Sequence, residues 1–114
     1  MSSITVHILD TTTGQPAEGI PVMLEHKTHT SGWQTIANGI TDIDGRINDL
    51  LSISDIFVPG HYRLVYETGA YFLTRNIECL FPHISVGFVV KDAEQHYHVP
   101  LLLSPFGYTT YRGW

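Results

Sequence analysis

The stretch His96-Tyr97-His98-Val99-Pro100-Leu101-Leu102-Leu103-Ser104-Pro105-Phe106-Gly107-Tyr108-Thr109-Thr110-Tyr111-Arg112-Gly113-Trp114 decides how the chain is read. It opens with two imidazoles at i and i+2, turns apolar, breaks at Pro105 and finishes with aromatics around an arginine. Its first half reads as a strand. Successive strand side chains point to opposite faces, so His96 and His98 share one side and Tyr97 and Val99 the other. Pro100 supplies no N–H, which argues for an edge strand or an unpaired position. The imidazoles therefore face a surface, while Leu101 to Leu103 give both faces something apolar.

Working outward, the same alternation recurs. Ser3 to Leu9 is a strand with Ile4, Val6 and Ile8 on one face and Thr5, His7 and Leu9 on the other. Asp10 to Pro16 is polar, contains Gly14 and reads as a turn. Ile20, Val22 and Leu24 alternate again, and His26 continues their face. Lys27 to Gly32 is a loop and Trp33 to Asn38 a short strand. Asp44-Gly45 is a strong turn signal, because glycine takes a positive φ without a Cβ penalty. Asp42 and Asp44 are expected to cap that turn. Leu50 to Phe57, with Ser54-Asp55, is a weak strand or turn, and Pro59-Gly60 a turn. Tyr62 to Thr68 is a strand. Gly69 to Cys79 is the one plausible helix, with Pro82 as its latest end. Ile84 to Val90 alternates, and Lys91 to Gln95 turns the chain into the His96 strand. Seven or eight short strands with turn signals roughly every ten residues make an all-β antiparallel two-sheet sandwich with one short helix. No linker or repeat divides residues 1–114, so one domain is expected.

Composition narrows the function. The chain has 114 residues, 6 basic and 11 acidic, for a net charge of −5. The basic residues are scattered, with no cluster suited to phosphates, which argues against nucleic acid as a partner. Only 15% of residues are charged, which suggests that some surface is covered by another chain. Cys79 is the only cysteine, so no intrachain disulfide forms, and it reads as a small buried hydrophobe. No window approaches the roughly 18 apolar residues of a membrane span. No basic segment followed by an apolar run opens the chain, so a cytoplasmic protein is expected.

Among the polar groups, His7 stands out. It lies mid-strand and points away from the Ile4/Val6/Ile8 face. Together with His96 and His98 it could form a three-histidine zinc site, but no spacing compels this and no acidic ligand accompanies it. The Asp42/Asp44 pair lacks the later ligand positions of a calcium loop. No metal or cofactor is expected. Arg46 follows the tight turn. Arg112 lies among Tyr108, Tyr111 and Trp114, which can pin it and aim its planar donor fork at a carbonyl-rich or anionic ligand. His26, His29, His61 and His83 read as surface residues. Ser104 and the hydroxyls after Asp10 have no nucleophile-elbow context.

The whole chain resembles the transthyretin-like 5-hydroxyisourate hydrolase family of purine breakdown. The resemblance rests on Val6-His7-Ile8-Leu9-Asp10 with Gly14-x-Pro16-Ala17, on Thr41-x-x-Asp44-Gly45-Arg46, and on the run from His96 to Gly113, which is highly specific. Gly69-Ala70-Tyr71-Phe72 and Phe81-Pro82 also fit. The resemblance implies catalytic His7 and His98, and substrate-binding Arg46, Arg112 and Tyr111. It implies a homotetramer, a dimer of dimers, with sites in grooves between dimers. The implied reaction is hydrolysis of 5-hydroxyisourate to 2-oxo-4-hydroxy-4-carboxy-5-ureidoimidazoline in urate catabolism. A non-catalytic small-ligand binding protein is the alternative. Trp114 departs from the family's terminal serine, and is expected to narrow the pocket mouth or shift specificity. His96 is expected to be peripheral although it shares a face with His98.

Overall fold

The computed structural model describes residues 3–30, 32–52 and 55–114. Nine strands and one helix form among them. The strands are β1 (Ile4–Asp10), β2 (Gln15–Pro16), β3 (Pro21–Thr28), β4 (Gly32–Ile40), β5 (Arg46–Ile47), β6 (Gly60–Tyr66), β7 (Ile84–Val90), β8 (Tyr97–Ser104) and β9 (Gly107–Thr110). The helix, α1, spans Gly69–Thr74. One sheet runs β2-β1-β8-β9 with β5 also paired to β1, and the other runs β4-β3-β6-β7. Alternation along β1, β3, β6 and β8 drives the two sheets together. Val6, Ile8, Val22, Leu24, Leu64 and Leu101 are all buried between them.

Every pairing is antiparallel except β1 with β8, which run parallel in register from Ile4↔Tyr97 to Asp10↔Leu103. Of the two expectations for Pro100 the edge strand is corrected, since β8 is an inner strand flanked by β1 and β9, while the unpaired position holds on the β9 side. Pro100 is tolerated because of where it falls. The β8–β9 ladder stops at Leu101↔Thr110, and the next contact is the isolated bridge His98↔Gly113. At the position between them a donor would have no regular ladder partner, and the Pro100 carbonyl accepts the Thr110 hydroxyl at 2.8 Å.

Other boundaries moved for identifiable reasons. The break at Pro105 is a two-residue hairpin: Ser104 Oγ donates to the Gly107 carbonyl at 3.0 Å, and β9 returns along β8. The expected turn after Asp10 contains β2, and the expected Lys27–Gly32 loop is shortened because Lys27, Thr28 and Gly32 join the β3–β4 hairpin ladder. The helix ends well before Cys79. Asn76 takes a left-handed φ of 58°, and the Asn76 and Ile77 amides donate back to Leu73 and Phe72, which closes the helix end. No strand forms among the described residues of the Leu50–Phe57 region, and Ser54 lies outside them. The helix is tied to the first sheet where Tyr71 Oη donates to the buried Asp10 carboxylate at 2.8 Å. No helix among the described residues is long and apolar enough to cross a membrane.

Candidate active site

The outer face of the first sheet carries the polar cluster. Thr5, His7 and Leu9 alternate outward along β1 because Ile4, Val6 and Ile8 are drawn inward. The parallel register sets Thr5 directly beside His98 of β8. The antiparallel β1–β5 register sets His7 beside Arg46. Two imidazoles and one guanidinium, far apart in sequence, therefore share one half-buried patch.

The tight turn before β5 builds the Arg46 side of this patch. Asp42 Oδ1 accepts the Asp44 and Arg46 amides, each at 2.9 Å, so Asp42 caps the turn. Asp44 contributes its backbone instead: its carbonyl accepts a hydrogen bond from the His7 imidazole. Gly45 has φ +72°, and an added Cβ would collide with the Ile8 carbonyl oxygen. Only glycine lets the turn lie this close to β1, where the Ile8 amide donates to the Gly45 carbonyl at 2.8 Å.

Both imidazoles are held below the ordinary histidine range. For His7 the main cause is burial, followed by the Arg46 charge. The Asp44 carbonyl and the Asp42 and Asp44 carboxylates pull the other way without prevailing. For His98 burial leads again, followed by Arg46, His7 and His96. On balance the surroundings disfavour imidazolium at both positions, so both rings stay neutral and able to take a proton near pH 7. A guanidinium beside two neutral bases suits a reaction in which water is deprotonated as negative charge builds on a carbonyl oxygen.

The structure gathers His7, Arg46 and His98, but in a single chain it does not place Arg112 or Tyr111 with them. Gly113 pairs with His98, so its neighbour Arg112 turns to the opposite side of the sheet. There the guanidinium donates to Gln95 Oε1 at 3.1 Å and to the His96 carbonyl at 3.0 Å. It also lies 4.5 Å from the Tyr97 ring and 4.6 Å from the Trp114 ring. Arg112 and Tyr111 line a concavity with Val86, Phe88, Tyr97 and Val99 at the flank where β7 and β9 approach. Trp114 is 96% exposed and covers Arg112 rather than the histidine patch.

Of the remaining histidines, His29, His61 and His83 are exposed, as expected. His26 is not a plain surface residue: it is half-buried and stacks on Tyr62 with ring centroids 4.4 Å apart. Cys79 is half-buried against the core. One residue was missed by sequence reasoning. Thr5 Oγ1 lies 2.7 Å from His98 Nδ1 and 3.0 Å from His96 Nε2. Its only sequence signal is that it shares the outward face of β1 with His7.

Two facing sheets, a parallel β1–β8 pair and an imidazole–guanidinium patch on an outer sheet face define a transthyretin-type sandwich equipped for acid–base chemistry. The chain belongs to the HIUase/Transthyretin family, which its residues 4–113 match. It is 47% identical over 110 residues to the 5-hydroxyisourate hydrolase of Salmonella typhimurium, an alignment covering 96% of this chain and 79% of that one. Its fold superposes on the structure of Klebsiella pneumoniae 5-hydroxyisourate hydrolase with a TM-score of 0.84 and 38% identity, covering 97% of this chain and 98% of that one. It superposes on sea bream transthyretin in complex with thyroxine with a TM-score of 0.90 and 34% identity, covering 98% and 95% respectively. Subunit shape therefore does not separate the hydrolases from the thyroxine-bound transthyretin. The side chains on the outer sheet face have to.

Proposed function

We propose that this chain hydrolyses 5-hydroxyisourate, opening its cyclic amide to give 2-oxo-4-hydroxy-4-carboxy-5-ureidoimidazoline in urate breakdown. The observation that carries this reading is the shared patch of His7, Arg46 and His98. His7 and His98 together activate the attacking water and return a proton to the leaving nitrogen. Water adds to the ring carbonyl, the tetrahedral oxyanion collapses, and the C–N bond breaks to leave a carboxylate. Arg46 binds a substrate carbonyl and balances the developing charge, an effect worth roughly 2.7–4 kcal/mol for a donor aimed at an oxyanion. No metal or cofactor takes part.

Arg112 and Tyr111 are the further substrate-binding groups of this reading, and they act through assembly. They line the flank between two open strand edges, β7 and β9, where a second copy can add its own strands. A homotetramer, as a dimer of dimers, brings such flanks and histidine faces of different copies together into grooves. The protein acts in the cytoplasm as a single domain of residues 1–114.

The test is the ultraviolet decay of 5-hydroxyisourate, followed against its spontaneous rate. Accelerated decay by the wild type, lost in His98→Asn of unchanged oligomeric state, is the expected result. Decay at the spontaneous rate with wild-type protein would overturn the reading. It would favour the second one, a carrier of small aromatic ligands, whose support is the close superposition on the thyroxine-bound transthyretin. Ligand titration then identifies that carrier.

A further inference from the structure

Thr5 is outward-facing on β1 yet only 2% exposed. The imidazoles of His96 and His98 close over it, so its hydroxyl has no water to turn to. That hydroxyl has one proton and touches two ring nitrogens, His98 Nδ1 at 2.7 Å and His96 Nε2 at 3.0 Å. It can donate to only one of them. For both contacts to be hydrogen bonds, the other nitrogen has to carry a proton and donate to Thr5 Oγ1. The two tautomers are thereby linked: either His98 is protonated at Nδ1 and His96 accepts at Nε2, or the reverse.

The opposite edge of the His98 ring is fixed as well. A Cβ built on Gly113 would fall 2.8 Å from His98 Cδ2 and 3.0 Å from Pro100 Cγ, so the ring edge rests on the bare glycine backbone. The Gly113 amide donates to the His98 carbonyl at 2.8 Å. With Nδ1 engaged by Thr5 and Cδ2 seated on Gly113, Nε2 is the nitrogen left for chemistry.

We propose that Thr5 is a positioning residue that holds His98 as the Nδ1–H tautomer, with Nε2 bare, and links it to His96 as a proton relay. This rests on the hydrolase reading above. The Arg46 charge near His98 favours a lone pair over an N–H at the free nitrogen. The proton count closes. His98 Nε2 takes a proton from water, leaving hydroxide to attack. His98 Nδ1 gives its proton to Thr5 Oγ1 as the Thr5 proton passes to His96 Nε2. When the C–N bond breaks the relay runs back. His96 Nε2 returns its proton to Thr5 Oγ1 as the Thr5 proton passes to His98 Nδ1, and His98 Nε2 gives its proton to the leaving nitrogen, which restores the Nδ1–H tautomer. His96 is then more than a bystander on the face of His98.

The experiment reads tautomers without relying on turnover. Long-range proton–nitrogen correlation spectra of ring-labelled protein assign each nitrogen of His98 in the wild type, Thr5→Val and Thr5→Ser. The wild type and Thr5→Ser should show His98 protonated at Nδ1, whereas Thr5→Val should lose that preference. In the decay assay Thr5→Val should lower kcat about tenfold with KM within about twofold, the loss expected when one orienting hydrogen bond is removed. Thr5→Ser should restore kcat. His98 protonated at Nε2 in the wild type would overturn the proposal, and so would a tautomer and kcat unchanged in Thr5→Val. A wild type that does not turn over 5-hydroxyisourate but shows the expected tautomers would instead sink the hydrolase reading and leave the Thr5 lock standing.

Discussion

A histidine working as a base near neutrality must be kept from protonating yet remain reachable by water. His7 and His98 meet both demands by lying half-buried beside Arg46. Their folded pKa values lie below the ordinary 6.5. The unfolded chain therefore binds more protons than the folded one as pH falls past that point. Stability from these two groups is fully present above about pH 6.5 and is lost as pH drops through the lowered folded values. Urea titrations at a series of pH values should show this acid-side decline, and it should flatten in the His7→Asn/His98→Asn double variant. The acid limb of kcat/KM should fall below pH 6.5 for the same reason. A limb at or above 6.5 would mean that neither imidazole is the base. His7 and Arg46 were singled out in the sequence because each is out of place: an imidazole in an alternating strand, and a guanidinium straight after a glycine turn. Thr5 was not, since a threonine in a strand is ordinary. Its meaning comes from His98, 93 positions away, and from a register that alternation does not encode.

At the scale of elements, the Asp42–Arg46 turn shows how backbone geometry delivers a side chain. Gly45→Ala would strain a left-handed φ and push the turn off Ile8. The expected cost is about 1–3 kcal/mol from the backbone conformation, with the collision adding to it. Chemical denaturation would measure it. Hydrolysis should fall by more than the unfolded fraction explains, because Arg46 moves away from His7. A stable variant with full turnover would show that the turn does not set the site. Alternation made β1, β3, β6 and β7 legible, since each has one apolar face. It could not reveal that β1 and β8 run parallel, because strand direction follows from connections rather than from the pattern within a strand. It also missed β9. Pro105 reads as a stop, and the return strand Gly107–Thr110 is too short and too polar to announce itself. The helix end was misplaced because Asn76, a tolerable left-handed residue, is a weaker signal than Pro82.

For the whole molecule, the two sheets leave β7 and β9 as open edges along one flank. Val89 and Tyr108, on those strands, are 48% and 42% exposed. Such edges invite further strands unless charge blocks them. Val89→Lys should shift sedimentation toward smaller species, and hydrolysis should fall with it if Arg112 and Tyr111 act from that flank as proposed. A dissociated variant with wild-type turnover would confine the site to one chain. Low charge content suggests a covered surface, and the open β7 and β9 edges are where the proposed assembly would place the cover.

The central claim is that His7 and His98 work as one unit on one sheet face. A double-mutant cycle on the decay of 5-hydroxyisourate tests it most directly, using His7→Asn, His98→Asn and the pair, each checked for unchanged fold and assembly. Each single substitution should lower kcat by roughly 10²–10⁴-fold, and the pair should be little worse than the more damaging single. Near-wild-type turnover in either single variant, or losses that multiply in full in the pair, would contradict the account.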